Sequence, residues 1–217
     1  NDYNARLNQV GIIQSGWLEN EVGIRGQSVF LILLDQFKRA ALAFNVYPDR
    51  TVWYGLTEPL LDPFFGALFL TGLIYGTLQL FNRKEGPQIA PLVAWWWAGM
   101  LLGGMLTESP PSSQRLITLA VPACFFVAYA IREMLILANS AFNRVPSGAI
   151  TAVMVALFAF ISLNAYFIEY TPQRIYGGKN AELATEIATA LNALKENHNI
   201  FVVGAPHMYW GFATFPY

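Results

Sequence analysis

Four apolar runs follow one another at about 63–81, 89–107, 116–137 and 148–168, each closed by a short polar break. A helix needs roughly 20 apolar residues to cross the hydrocarbon core of a bilayer. Four such runs in tandem predict an all-α polytopic membrane bundle of four transmembrane helices. The breaks are Asn82–Gln88, Glu108–Arg115 and Asn139–Ser147. The first run carries Gly66, Gly72 and Gly76, and its Gly72-Leu-Ile-Tyr-Gly76 segment has the small-xxx-small spacing that lets two helices approach closely. The second carries Trp95-Trp-Trp97, and the fourth is nearly featureless, as a lipid-facing helix is.

The flanks have a different pattern. Residues 1–59 form an outer segment with an amphipathic helix at 28–44, apolar at Phe30, Leu33, Leu34, Phe37, Ala41 and Phe44. Asp35, Lys38 and Arg39 fall near its middle, and three charges there oppose a spanning position. The segment therefore predicts a helix lying in the interface or against the bundle, with Ser28 as its N-cap. A loop follows from Asn45 to Pro59, with Trp53 and Tyr54 suited to an interfacial belt. Residues 169–217 predict the start of a small outer α/β domain. Its helix runs over 180–197, with Asn180 as N-cap and Leu183, Ile187, Leu191 and Leu194 on one face. A short strand is expected at Ile200–Val203, and a lone strand needs neighbours, so the domain is expected to continue past Tyr217; with a polar opening at Asn1-Asp2-Tyr3, both ends are expected to be cuts in a longer polypeptide.

Composition sharpens the membrane reading. The chain is 55% hydrophobic and 12% charged, about half the charged share of soluble domains. The net charge of −1 gives no field to attract nucleic acid. Four spans put both ends on one face. The small basic excess of Arg83, Lys84 and Arg144 in the two opposite loops favours that opposite face as cytoplasmic. Both termini and the Glu108–Arg115 loop are then expected outside a bacterial cytoplasmic membrane. Cys124 has no partner cysteine, and His198 and His207 lie far from it in sequence, so no metal site is expected.

No phosphate-binding Gly-Lys-Ser/Thr loop, dinucleotide fingerprint or nucleophile elbow occurs in the sequence. The candidate chemistry is a set of charges at the outer surface: Asp49, Arg50, Glu58, Asp62, Glu108 and Arg115. Arg115 heads a span, where its guanidinium fork can hold a lipid phosphate or simply snorkel to anchor the helix end. Asp62-Pro63 opens the first span as an N-cap followed by proline at the first helical position.

The order of these features resembles a known family. Ala43-Phe-Asn-Val46 with Asp49-Arg50 precedes Pro59-Leu-Leu-Asp-Pro63 and a Gly-rich span. A Trp-rich span, the Glu108-Ser-Pro-Pro-Ser-Ser-Gln-Arg115 turn, two further spans and the tail Val203-Gly-Ala-Pro-His-Met-Tyr-Trp-Gly-Phe212 follow. Together they resemble the second half of bacterial GT-C class glycosyltransferases, those related to protein O-mannosyltransferases and lipid A aminoarabinose transferases. The resemblance implies transfer of a sugar from a polyprenyl-phosphate donor, the lipid-linked substrate, to an acceptor outside the membrane, with no cofactor assigned. It also implies that the catalytic base lies in a first outer loop that these residues do not include. Arg115 is then the first candidate for the lipid phosphate and Arg50 the second, with Glu108, Asp49 and Asp62 as outer acidic candidates. The competing expectation is an accessory structural subunit of a larger membrane complex, with other membrane subunits as partners. Transport is disfavoured, because the spans hold almost no ionisable residues.

Overall fold

The computed structural model describes residues 11–49, 51, 55, 58–142, 145–174 and 179–194. Among these the chain is mostly helical, with seven helices and no strand. The expected strand at 200–203, Arg50, Trp53, Tyr54, Arg144 and both histidines lie outside the described residues. Two compact units divide the chain, one formed by 1–50 and 56–158, the other by 51–55 and 159–217.

The first unit begins with α1 (Trp17–Arg25) and α2 (Val29–Ala41). Residues 1–27 read as mixed and broken by glycine, so α1 is a helix that the pattern did not announce. Gly16 precedes it and Gly26 follows it, both in the left-handed region. Ser28 does sit at the N-cap of α2 in extended conformation, but its hydroxyl makes no cap bond.

The face that α2 buries differs from the expected stripe. Ile32, Gln36 and Ala40 are buried, while Phe30 and Leu34 are exposed. At about 100° per residue the helix has three sides. Ile32, Gln36 and Ala40 face the protein. Phe30, Leu34 and Ala41 form an outward apolar side, and Asp35, Lys38 and Arg39 a charged one. Asp35 pairs with Arg39 at 2.9 Å and with Arg25 of α1 at 3.2 Å, surface pairs worth under about 1 kcal/mol. A helix that packs on one side, is greasy on the second and charged on the third suits the boundary between lipid and water.

α3 (Pro63–Gln79) starts where Asp62 Oδ1 accepts from the Phe64 and Phe65 N–H groups at 3.0 and 3.3 Å. Pro63 costs nothing there, since its missing donor is one the first turn leaves unused. α4 (Gly86–Gly99) continues as a π-helical stretch, Met100–Met105. α5 runs Ser113–Ala141, tightening to a 3₁₀ turn at Ile117–Leu119. The most extensive contact between two helices joins α3 and α5, and Gly72 lies at its centre. A Cβ at Gly72 would fall 1.8 Å from the carbonyl oxygen of Phe126, so the expected close approach is real and backbone touches backbone. Around it Phe69, Trp96, Phe44 and Phe126 form one aromatic cluster, with centroids 4.8 Å apart for Phe69 and Trp96 and 5.1 Å for Phe44 and Trp96. The three consecutive tryptophans point different ways. Trp96 is buried in this cluster, Trp97 stacks on Phe37 at 6.0 Å, and Trp95 faces outward.

Among the described residues, two helices are long and apolar enough to cross a membrane: α5, with 29 residues, and the 24-residue segment Ser147–Tyr170. The latter comprises α6 (Ser147–Leu163) and a π-helical stretch, Asn164–Tyr170. At 1.5 Å per residue both exceed the roughly 30 Å hydrocarbon core. α6 has no buried residue and exposes Val153, Val155, Phe160 and Leu163. A helix apolar on all sides is at home in a protein interior or in lipid. The apolar α3, at 17 residues, reaches only about 26 Å. α4 holds Pro91 in its interior. In the second unit, the end of α6 and its π-helical stretch lead through a 3₁₀ turn, Thr171–Arg174, toward α7 (Lys179–Leu194). Asn180 lies inside the first turn of α7 rather than at its cap. Its buried residue is Ala184, while Leu183 and Leu194 of the expected stripe are exposed.

Candidate functional site

Of the charged candidates, Asp49, Glu108 and Arg115 meet at the segment joining α4 to α5, while Asp62 stays at the head of α3. Gly103 and Gly104, in the π-helical stretch, let it settle. A Cβ at Gly104 would meet that of Ala40 at 2.4 Å, and one at Gly103 would meet the Arg115 carbonyl oxygen at 2.8 Å. The chain then passes from α4 under α2, and Gln36 of α2 donates from Nε2 to the Thr107 carbonyl at 2.9 Å. Thr107 also forms an isolated antiparallel bridge with Gly11. A buried glutamine amide answering a carbonyl that has no helical partner satisfies both groups. Gln36 was not among the sequence candidates. The only trace was its spacing of four from Ile32 and Ala40.

Beyond Thr107 the backbone turns sharply. Ser109 adopts φ 50°, and the Pro110–Pro111 peptide is cis. A serine in the left-handed region costs about 1 kcal/mol or more unless its surroundings fix it. Both prolines are buried. Arg115 reaches back from the first turn of α5, its Nη1 donating to the Glu108 carbonyl at 2.7 Å. The loop 108–115 is thus closed by its own arginine.

Asp49 is the buried acid of this region, only 2% exposed. Its Oδ2 accepts from the Ser113 N–H at 2.6 Å. Ser112 occupies the N-cap position of α5, yet its side chain makes no cap bond and its hydroxyl is buried without a partner. An aspartate 64 positions away therefore does the work a local serine usually does. A full negative charge at a helix N-terminus is favoured by the helix dipole, which offsets part of the cost of burying it.

The sequence candidates thus separate into three kinds. Asp49 is a buried tertiary cap, and Asp62 is a local cap whose Oδ1 is committed to two N–H groups. Glu108 and Arg115 sit half-buried at the loop rim. The Glu108 carboxylate has no hydrogen bond or ion pair among the described residues, and neither do the guanidinium donors of Arg115 beyond the one that braces the loop. A free carboxylate and a partly free guanidinium on a rigid rim can accept from a hydroxyl and donate to an anionic oxygen. No group of three or more potential metal ligands occurs among the described residues. No family model, curated protein or solved structure matches the chain.

Proposed function

We propose that this chain is part of a membrane glycosyltransferase of the GT-C class, moving a sugar from a polyprenyl-phosphate donor to an acceptor on the outer side. The observation that carries the reading is the braced loop 108–115, with its unengaged Glu108 carboxylate and Arg115 donors beside the start of a long apolar helix. In this reading four helical spans, 63–81, 89–107, 116–137 and 148–168, cross the membrane, and both flanks lie outside. A polyprenyl tail then lies along apolar helices while its phosphate meets the head of α5.

In the reaction a base outside these residues takes the proton of the acceptor hydroxyl. The acceptor oxygen attacks the anomeric carbon, and the bond from that carbon to the phosphate oxygen breaks. The electron pair leaves with the polyprenyl phosphate, whose growing charge Arg115 neutralises. Asp49 holds the first turn of α5, and with it Arg115, in place. A charge-assisted contact of this kind is worth about 1.5–3 kcal/mol. Arg115→Ala in the full protein should therefore lower kcat/KM for the lipid-linked sugar by roughly 10- to 100-fold. Near-normal transfer by a folded Arg115→Ala protein removes Arg115 from the site.

A second reading, an accessory subunit of a membrane complex, is favoured by one observation. α6 has no buried residue and exposes Val153, Val155, Phe160 and Leu163, a surface that another membrane subunit can cover as well as lipid can. Purification with stoichiometric partners and no sugar transfer by the assembly would select it.

A further inference from the structure

We propose that a cleft between the start of α4 and the middle third of α5 binds a phospholipid with an amine-bearing headgroup. The cleft, of about 410 Å³, lies at the end of the first unit away from the Asp49 loop and is lined by Glu85, Gln88, Ile89, Phe125, Ala128, Tyr129 and Arg132. Its size falls within the range of small-molecule sites and accommodates a headgroup and glycerol, with acyl chains running out of the open side.

The lining is graded. Phe125, Ala128, Tyr129 and Arg132, at offsets of three, four and seven from the first, share one face of α5 and cover about 10 Å along its axis. They pass from apolar through a phenol to a guanidinium, the order in which a lipid passes from chain to headgroup. The Phe125 and Tyr129 rings stack at 5.8 Å, and Tyr75 adds a third ring 5.6 Å from Tyr129. Opposite, the first turn of α4 contributes Ile89, buried, then Gln88 and Glu85.

The two charges at the rim decide the headgroup. The Arg132 Nη1 pairs with Glu133, which leaves the rest of the fork for a phosphate. Glu85 occupies the N-cap position of α4 without making a cap bond, and its carboxylate has no partner among the described residues. A lipid carrying only negative charge would bring its phosphate toward that carboxylate. A primary ammonium beside the phosphate answers Glu85 directly, with aromatic faces nearby to favour a cation. None of the lining residues belongs to the loop 108–115 or the first turn of α5, so the site is separate from the one proposed for sugar transfer.

The test uses the protein reconstituted in nanodiscs of equal phosphatidylethanolamine and phosphatidylglycerol, with the lipid that survives detergent washing identified by native mass spectrometry. The expected result is at least fivefold enrichment of phosphatidylethanolamine, lost in Glu85→Gln at unchanged unfolding midpoint. If Glu85→Gln fails to fold, Ala128→Trp, which fills the cleft from an exposed position, gives the same readout. Retention of the two lipids in the bulk ratio by the wild type overturns the proposal. So does a folded variant that keeps the wild-type enrichment.

Discussion

Replacing Gly72 by alanine adds one methyl group, and two effects of opposite sign compete. In a helix interior Gly→Ala gains about 0.8–1 kcal/mol from propensity alone. Against this, the new Cβ would lie 1.8 Å from the Phe126 carbonyl oxygen, 2.6 Å from its carbon and 3.2 Å from its Cα. All three are backbone atoms, so no rotamer change relieves the clash. Restoring an ordinary contact of 3.4 Å requires α3 and α5 to part by about 1.6 Å near this point. A gap of even 1 Å forfeits up to half of each dispersion contact, and the helices involved bury Phe65, Phe69 and Leu73 on one side and Ala123, Phe126 and Val127 on the other. Overpacking typically costs 1–3 kcal/mol, and a backbone obstacle sets the upper end. The clash wins, with a net loss of about 2 kcal/mol, roughly 30-fold in the folded ratio. The assay is unfolding in mixed micelles by increasing sodium dodecyl sulfate, followed by tryptophan fluorescence. Gly23→Ala in α1 is the control, because nothing lies within 4 Å of the added methyl; it should be neutral or slightly stabilising. If Gly72→Ala matches Gly23→Ala, the α3–α5 contact is not as described and the reasoning fails.

Two further substitutions separate the acids by role. Asp49→Ala removes a buried cap and strands the Ser113 N–H, so it should cost about 2–4 kcal/mol in the same unfolding assay, while Asp49→Asn, which keeps an acceptor, should cost clearly less; equal losses would show that the hydrogen bond to Ser113 is immaterial. Asp62→Ala should cost about 1 kcal/mol and leave any sugar-transfer activity of the folded protein unchanged, whereas a selective loss of activity would give Asp62 a chemical role beyond the cap.

Local chemistry was the legible part of this chain. Asp62-Pro63 announced the start of α3, the apolar runs located α3 to α6 within a few residues, and the Gly72–Gly76 spacing marked a close helix approach. What the pattern missed depends on tertiary contact. The apolar positions of α2 suggested one buried stripe, but Gln36 lies on the buried side because it meets the Thr107 carbonyl, and Phe30 and Leu34 turn outward. Asp49 and Ser113 lie 64 positions apart, and no periodicity links an acid in one loop to the first amide of a distant helix. The 108–115 turn holds three serines. The Ser113 contribution is its backbone N–H, and the hydroxyl of Ser112 is buried without a partner. The π-helical stretch Met100–Met105 had its only forewarning in Gly103-Gly104, whose missing side chains admit Ala40 and the Arg115 carbonyl.

The account depends on a membrane-embedded middle whose α4–α5 loop opens to the exterior. Single cysteines at Glu58 and Lys84, both exposed positions, placed separately in a Cys124→Ala background, test it with a membrane-impermeant maleimide. Glu58→Cys should react fully in intact cells, and Lys84→Cys only after permeabilisation. Equal labelling of both in intact cells, or recovery of the protein in the soluble fraction without detergent, would contradict the account.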